Sequence, residues 1–263
     1  MVYNSVATVI SSGLCHGCGL CVGVCPTRAL NMTYSGNDGI FVPQVQDERC
    51  VECGLCLRVC PGHEVGFAAL NVALFGDRPV DSRLGAYLAC FSGYATDPEV
   101  RKTASSGGCT TALLLNTLEQ GLIDGAVVTK MDAAHQLRTK TFIARTRAEI
   151  LAASGSKYCP VTMASVFEEL QAAENGRYAF VGLPCHIHGL RKLQELKPEV
   201  TCKVTLVVGL FCARGITGTG TNFVLGDLGI DEREVRLLSY RGDGWPGAMQ
   251  VECDRQRVRV PYT

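Results

Sequence analysis

Two cysteine motifs of identical spacing constrain the fold of this chain more than any other feature. The first runs from Cys15 to Pro26 and the second from Cys50 to Pro61, and both follow the pattern C-x2-C-x2-C-x3-C-P. Two copies of one pattern form an internal repeat, which predicts two equivalent sites. Cysteines in such tight triplets indicate metal binding, so the bound metal should organise the N-terminal part of the fold.

The spacing is similar to that of bacterial two-cluster ferredoxins, in which the fourth cysteine binds the other cluster. Three thiolates on one tight loop can reach three irons of a cubane, while the fourth lies too far along the chain. Gly17, Gly19 and Gly54 allow the backbone to wrap closely around each cluster. The predicted ligands are Cys15, Cys18, Cys21 and Cys60 for the first [4Fe–4S] cluster, and Cys50, Cys53, Cys56 and Cys25 for the second.

Structural zinc is the alternative to iron–sulfur clusters. Zinc sites use paired C-x2-C knuckles with four ligands, not two triplets that are each followed by x3-C-P, so zinc is disfavoured. The chain has 15 cysteines, an odd number concentrated in clusters, which does not suggest a secreted disulfide scaffold. Thiols kept for metal binding predict a reducing compartment and hence a cytoplasmic protein.

Charge and hydropathy exclude several classes of partner. Lysine and arginine together number 25, as do aspartate and glutamate, so there is no electrostatic reason to expect a nucleic-acid partner. No apolar run approaches the roughly 18 residues that suggest a membrane span. The first residues lack the basic start and long apolar block of a signal peptide.

The chain after the second motif has a different pattern. Residues 76–100 resemble a connector, and from there apolar strands alternate with helices, which predicts an α/β layer. The end of the chain has the pattern of β-hairpins, with no closing element, which predicts a truncated C-terminus. The predicted fold is therefore an α+β ferredoxin-like domain over 5–75, a connector over 76–100, and a mixed α/β domain over 101–263.

Individual elements of the α/β part follow from periodicity and capping residues. The helices open at serine, glycine or proline, and the strands are short apolar runs. The predicted helices span 105–121, 148–153, 160–174 and 185–196, and the predicted strands span 123–131, 140–146, 177–184 and 203–212.

Two cysteines of the α/β part follow predicted strands, where ligands of such sheets usually bind. Cys185 opens the helix after one strand, and Cys212 ends another. A thiol at a helix N-terminus has a lowered pKa, so Cys185 is predicted to be a good thiolate ligand or nucleophile. The alternative, that both cysteines are small buried apolar residues, is equally consistent with their positions.

Two loops rich in small residues are candidate binding segments. Residues 104–108, ASSGG, place free backbone N–H groups at a helix start, which suits a phosphate but is also ordinary capping. Residues 154–160, SGSKYCP, include Lys157, which could pair with a phosphate or a reduced flavin, or could simply be solvated. No G-x-G-x-x-G or P-loop motif is present, so neither a Rossmann dinucleotide site nor a P-loop is supported. His186 and His188 could both be helix-surface residues, and that interpretation is favoured for His188.

Several stretches occur in an order typical of one known family. They are DPEVRKTASSGGCTTALLL, IDGAVVTK, SGSKYCPV, FVGLPCHIHGLRKL, GLFC and YRGDGWPG. In this order the chain from about residue 85 to 263 resembles the coenzyme F420 hydrogenase/dehydrogenase beta-subunit family. An N-terminal two-cluster ferredoxin domain is also found in members of that family.

The resemblance implies bound FAD, which accepts a hydride from a reduced deazaflavin and passes single electrons to iron–sulfur clusters. Lys157 or His186 would stabilise the anionic reduced flavin as the catalytic residues. Cys185 and Cys212 would bind a third [4Fe–4S] cluster, whose other thiolates come from a later C-x2-C motif in similar proteins. The flavin-contacting residues implied are Ser105, Ser106, Gly107, Gly108, Gly155, Ser156, Lys157, Tyr158 and Pro184.

The resemblance predicts a coenzyme F420-dependent oxidoreductase that contains FAD and 4Fe-4S clusters. It would move electrons between reduced coenzyme F420, or ferredoxin, and a partner redox subunit, without a nucleic-acid partner or a membrane span. One alternative is a flavin-free electron-transfer subunit. Another is a reductase of an organic substrate, as in relatives such as 7-hydroxymethyl chlorophyll a reductase. Nothing in the sequence selects the final electron acceptor.

Overall fold

The N-terminal part of the fold is a β-hairpin flanked by short helices. The computed structural model of the chain describes residues 4–135, 137–213, 215–254 and 256–262. The first elements are α1 (Ala7–Ser11), α2 (Leu20–Val24), β1 (Leu30–Ser35), β2 (Ile40–Val45), α3 (Leu55–Val59) and α4 (Phe67–Phe75). Strands β1 and β2 are antiparallel, with Leu30 opposite Val45. Each cysteine motif supplies one short helix, α2 or α3.

The central part is an α/β layer, as the alternating pattern predicts. Its elements are α5 (Pro98–Thr103), α6 (Cys109–Glu119), β3 (Gly125–Met131), β4 (Thr139–Ala144), α7 (Arg147–Ala152), α8 (Ala164–Ala172), β5 (Tyr178–Gly182), α9 (Pro184–Leu196), α10 (Pro198–Thr201) and β6 (Val204–Gly209). The strand order is β4-β3-β5-β6. Strand β4 is antiparallel to β3, whereas β3, β5 and β6 are parallel, so their carboxyl ends meet at one edge of the sheet.

The C-terminal part confirms the predicted hairpins. Helix α11 (Gly218–Asp227) is followed by the antiparallel strands β7 (Val235–Gly242), β8 (Ala248–Cys253) and β9 (Arg257–Pro261). Leu225 of α11 packs into the core of this sheet with Tyr240 and Val251. Helix α11 was not predicted, because its glycines and threonines have low helix propensity.

The cysteine-bearing helices and the α/β layer share one hydrophobic core. Leu20 and Val24 of α2 belong to the same buried cluster as Phe167 of α8, Phe180 of β5 and Leu190 of α9, and all are fully buried. Each such side chain contributes roughly 1.5–3 kcal/mol by leaving water. The N-terminal module therefore buries its apolar face directly on α8 and α9.

Two glycines make this close packing possible. A Cβ at Gly23 of α2 would lie 2.6 Å from the Cβ of Phe167, and a Cβ at Gly189 of α9 would lie 2.6 Å from a methyl group of Leu20. Both distances are far shorter than a van der Waals contact between carbon atoms. The helices can approach this closely only because these positions carry no side chain.

Two predicted helices begin later than the sequence pattern indicates. The helix predicted from Pro160 begins at Ala164, because the preceding residues dock elsewhere: the Met163 N–H donates to the Cys18 carbonyl at 2.9 Å. The helix predicted from residue 105 begins at Cys109, because Gly108 is left-handed with φ of 78°. That helix ends at Glu119, and Gly121 has the positive φ expected just beyond a helix end.

The region predicted to be a connector, residues 76–100, is mostly irregular, and a helix precedes it. Helix α4 is almost entirely apolar, has no buried residue, and contacts the rest of the fold through Phe67, which packs edge-to-face on His188 at 5.0 Å. His188 is half-buried in this contact and not free on the helix surface.

No helix in the described part of the chain is long and apolar enough to cross a membrane.

Candidate functional site

The N-terminal module contains two cavities that are each lined by four thiols. The first is lined by Cys15, Cys18, Cys21 and Cys60, and the second by Cys25, Cys50, Cys53 and Cys56. The two sets coincide with the two ligand sets that the motif spacing predicts. In each set, three thiols come from one motif and the fourth comes from the other motif. That these thiols bind iron stays a prediction of the sequence.

The crossed arrangement follows from the geometry of the two short helices. Gly19 and Gly54 both adopt left-handed conformations and start α2 and α3, which pack against each other. The third cysteine of each motif lies in its helix, and the fourth caps the far end, about 6 Å further along the axis at 1.5 Å per residue. Each helix thus carries its last thiol out of its own loop and into the neighbouring cavity.

Three thiols of the first cavity, those of Cys15, Cys18 and Cys21, are poorly ionised without a bound cation. Burial raises the pKa of Cys15 and Cys21, and raises that of Cys18 to about 12; the neighbouring thiols add to the effect at all three. Iron ions would compensate for both the lost solvation and the mutual repulsion of the thiolates. The donor set therefore fits a cationic metal cluster.

The spacing of the donors also bears on the kind of metal site. Within the described ranges, no three His, Cys, Asp or Glu side chains converge closely enough to hold a single metal ion. A [4Fe–4S] cubane binds each thiolate to a different iron, so its four thiolates lie further apart than the ligands of one ion. Four thiols around a cavity suit the cubane.

The first cysteine loop docks on the α/β layer. A Cβ at Gly19 would lie 2.3 Å from the Thr162 hydroxyl oxygen, so the loop and residues 160–163 are in close contact. Cys18 is near enough to Cys185 for the charge of that thiolate to raise its pKa. Cys18, which lines the first cavity, therefore lies near the start of α9, whereas residues between Asn4 and Cys56, Glu52 among them, line the second cavity.

Cys185 and Cys212 lie close together at the carboxyl edge of the sheet. Cys185 is in the first turn of α9, and its thiol pKa is raised mainly by burial, with a further increase from the nearby Cys212. The predicted lowering of this pKa is wrong: burial outweighs the hydrogen bond from the His186 backbone N–H. Strand β6 ends at Gly209, so Cys212 lies three residues beyond the strand, in an exposed irregular segment, and does not end it.

His186 is a buried, neutral residue. Its side chain is 1% exposed, and its Nδ1 accepts a hydrogen bond from the Leu183 N–H at 3.2 Å. Burial lowers the pKa of His186 to about 4, and the hydrogen bond to the Val161 backbone, which raises this pKa, offsets only part of the shift. At neutral pH the imidazole has no positive charge to offer an anionic flavin. It fixes the start of α9 against residues 160–163.

The two predicted flavin-contacting loops meet. The Ser105 hydroxyl accepts a hydrogen bond from the Ser156 N–H at 2.7 Å, and the Arg101 guanidinium donates to the Ser106 carbonyl. Helix α6 begins at Cys109, and Gly108 before it provides no side-chain cap, so the first N–H groups of the helix have no side-chain acceptor there. These groups form a potential anion-binding edge. Pro184 is exposed at the first position of α9.

Lys157 holds its own loop together. Its ammonium group donates to the carbonyl oxygens of Ala153, Ser154 and Gly155, at 3.0 Å for Ser154 and 2.8 Å for Gly155. Burial lowers the pKa of this lysine to about 8. All three ammonium protons serve the carbonyl end of α7, where a cation is also favoured by the helix dipole.

Replacing Lys157 with alanine should lower the free energy of unfolding by about 2 kcal/mol, because charge-assisted hydrogen bonds to partly buried carbonyls are lost. Chemical denaturation measures this loss. Lys102→Ala is the matched control, since Lys102 is exposed at the end of α5 and should cost much less. If Lys157→Ala left stability unchanged but abolished flavin reduction, the lysine would instead act on the flavin.

A third segment, residues 241–247, joins α5 to the 154–160 loop, and no site residue was predicted in it. The Arg241 guanidinium donates to the Tyr158 hydroxyl at 3.3 Å, and the Gly244 N–H donates to the Lys102 carbonyl at 3.2 Å. Residues 241–247 thus contact the 154–160 loop and the end of α5, which leads into the 104–108 loop. The sequence feature that could have indicated a role for this segment is its concentration of glycines around one arginine and one tryptophan.

Comparison with family models is consistent with this organisation. The model described as coenzyme F420 hydrogenase/dehydrogenase, beta subunit N-term, matches residues 90–168, and its C-terminus counterpart matches residues 175–263. A 4Fe-4S dicluster domain matches residues 14–63. The chain belongs to the coenzyme F420 hydrogenase/dehydrogenase beta-subunit family. The dicluster match spans both thiol-lined cavities.

Two relatives are similar to this chain over different fractions of its length. Coenzyme F420 hydrogenase subunit beta from Methanosarcina barkeri is 36% identical over 50% of this chain and 46% of that protein. Coenzyme F420-dependent sulfite reductase from Methanocaldococcus jannaschii is 31% identical over 89% of this chain and 36% of that protein. The chain thus spans less than half the length of either relative.

A solved structure also resembles this beta-subunit-family chain. It is described as a xenon derivative of the F420-reducing [NiFe] hydrogenase complex from Methanosarcina barkeri. The match has a TM-score of 0.55 and 29% identity, and it covers 70% of this chain and 64% of the other. The mixed α/β architecture is therefore shared with a chain of that complex.

Proposed function

We propose that the chain is an oxidoreductase module that moves electrons between reduced coenzyme F420, or ferredoxin, and a partner redox subunit. It does so with two [4Fe–4S] clusters and FAD. The observation that carries the proposal is the pair of four-thiol cavities, the first of which is lined by Cys18, whose loop packs on residues 160–163 of the α/β layer. The names of the two curated relatives, a coenzyme F420 hydrogenase subunit and a coenzyme F420-dependent sulfite reductase, support the choice of electron partner.

The proposed domains follow the sequence prediction. Residues 5–75 form the two-cluster ferredoxin domain, 76–100 the connector, and 101–263 the FAD domain. The inner cluster is bound by the thiols of the first cavity and the outer cluster by those of the second. The docking of the Cys18 loop on residues 160–163 supports this order, because it places the first cavity against the α/β layer.

Cys185 and Cys212 supply two thiols for a third cluster beside the inner one. Their mutual proximity, and that of Cys18 to Cys185, support a continuous path for electrons from the sheet edge to the N-terminal module. The burial of Cys185 favours a metal-bound thiolate over a free one, since a bound cation offsets the desolvation of the charge.

When bound, FAD links a donor of two electrons, as a hydride, to clusters that each accept one electron at a time. The uncapped start of α6 and the backbone of 105–108 are the residues that would hold its phosphates. Residues 155–158 shape the adjoining wall, and Arg241 holds Tyr158 in place. Lys157 and His186 hydrogen-bond to the backbone in this region, and their predicted stabilisation of the reduced flavin stays a prediction.

The test is anaerobic titration of the purified chain, followed by flavin and cluster absorbance. We expect flavin bands beside a broad iron–sulfur shoulder, and bleaching by reduced coenzyme F420 but not by NADH. Clusters without flavin bands would indicate the flavin-free electron-transfer subunit. Bleaching only by other donors would favour the reductase of an organic substrate. A chain with both groups that no reductant bleaches would contradict an oxidoreductase.

A further inference from the structure

One lysine holds a positive charge behind the first four-thiol cavity. The ammonium group of Lys192, on α9, donates to the carbonyl oxygen of Cys60 at 3.1 Å and to the carbonyl of Glu64. Cys60 supplies the fourth thiol of that cavity. The half-buried Lys192 does not line the cavity but is held against the backbone of one of its ligands.

Among the described residues, no lysine or arginine side chain donates to the backbone of a cysteine that lines the second cavity. Its fourth thiol belongs to Cys25, whose carbonyl accepts a hydrogen bond from the Arg28 backbone N–H, a neutral donor. The side chain of Arg28 is exposed, where water and salt screen its charge. Among the described residues that line this cavity there is no lysine or arginine, but there is one acid, Glu52. The two cavities therefore differ in their electrostatic surroundings.

We propose that Lys192 raises the reduction potential of the cluster held by Cys15, Cys18, Cys21 and Cys60. Reduction adds one electron, and therefore one negative charge, to the cluster without breaking a bond. A nearby cation stabilises the reduced form more than the oxidised form. Reduction potentials of such clusters respond to charge, hydrogen bonds and solvent exposure. This inference rests on the proposed function, because it requires the four thiols to hold a cluster.

The charge of Lys192 acts against an opposing effect of burial. Cys18 and Cys21 are buried, and an added electron is less stable in a poorly solvated site, which lowers the potential of the inner cluster. Glu64 and Glu195 are close enough to attract the ammonium and partly cancel its field. Lys192 thereby keeps the buried inner cluster able to accept electrons at the junction with the α/β layer.

The test is a redox titration of the full chain with reconstituted clusters, with dithionite as reductant and electron paramagnetic resonance as readout. Lys192→Gln keeps hydrogen-bond donors near both carbonyls but removes the charge, and should lower the midpoint potential of one cluster. Lys192→Arg keeps the charge and should leave that midpoint nearly unchanged. Glu52→Gln should raise the midpoint of the other cluster, which assigns the two signals without altering a ligand.

Lys203→Gln is the matched control. Lys203 also donates to two backbone carbonyls, those of Leu170 and Ala173, but at the end of α8 and not at a cluster ligand. It should change neither midpoint. The inference would be overturned if Lys192→Gln left both midpoint potentials unchanged or shifted them equally. Loss of iron and sulfide from both Lys192→Gln and Lys192→Arg would also overturn it. A wild-type chain that binds no clusters would instead contradict the proposed function.

Discussion

Replacing Cys15 and Cys60 together with alanine is expected to remove about half of the iron and sulfide that the N-terminal module binds. Replacing Cys15 and Cys25 together is expected to remove nearly all of it. The reason is the crossed arrangement: Cys15 and Cys60 line the same cavity, whereas Cys15 and Cys25 belong to one motif but line different cavities. Each double variant removes two thiols, so the number of lost ligands is matched.

Iron and acid-labile sulfide per chain are measured after anaerobic reconstitution, with the intensity of the reduced-cluster signal as a second readout. If each motif instead bound its own cluster, the outcomes of the two double variants would be exchanged. Cys202→Ala serves as control, because Cys202 is exposed, lies outside both cavities, and should retain the full content.

The composition of the two thiol sets could be predicted from the sequence because it depends on local geometry. A loop of three closely spaced cysteines and a short helix that ends at the fourth are both encoded within eleven residues of Cys15 or Cys50. The strands β3 to β6 were predictable for a similar reason. Their apolar runs are short, continuous and bounded by helix-capping residues.

What the sequence could not predict depends on contacts between distant segments. The start of α8 moves to Ala164 because residues 160–163 bind the Cys18 loop, more than a hundred residues earlier in the chain. The thiol of Cys185 has a raised pKa because that docking contributes to its burial, which a helix-start rule cannot include. Lys157 was predicted to face a ligand, but its ammonium finds three carbonyls only once α7 has formed.

The packing between the cysteine-bearing helices and the α/β layer should be highly sensitive to Gly23. Gly23→Val is expected to destabilise the chain by about 3 kcal/mol, at the upper end of the cost of overpacking a core. A Cβ there would lie 2.6 Å from the Cβ and 2.7 Å from the Cγ of Phe167, which is fully buried and cannot move aside cheaply. At roughly 2–4 °C per kcal/mol for a chain of this size, the melting temperature should fall by about 6–12 °C.

Gly36→Val is the matched control, since Gly36 lies in the β1–β2 turn of the same module, has no positive φ, and has open space around its Cβ position. Its melting temperature should stay within about 2 °C of the wild type, as for most exposed substitutions. Gly23→Val should also slow electron transfer from the α/β layer to the inner cluster while leaving iron content unchanged, because it separates α2 from α8 without touching a thiol. A variant that melts like the wild type would show that the shared core is not what joins the two parts of the chain.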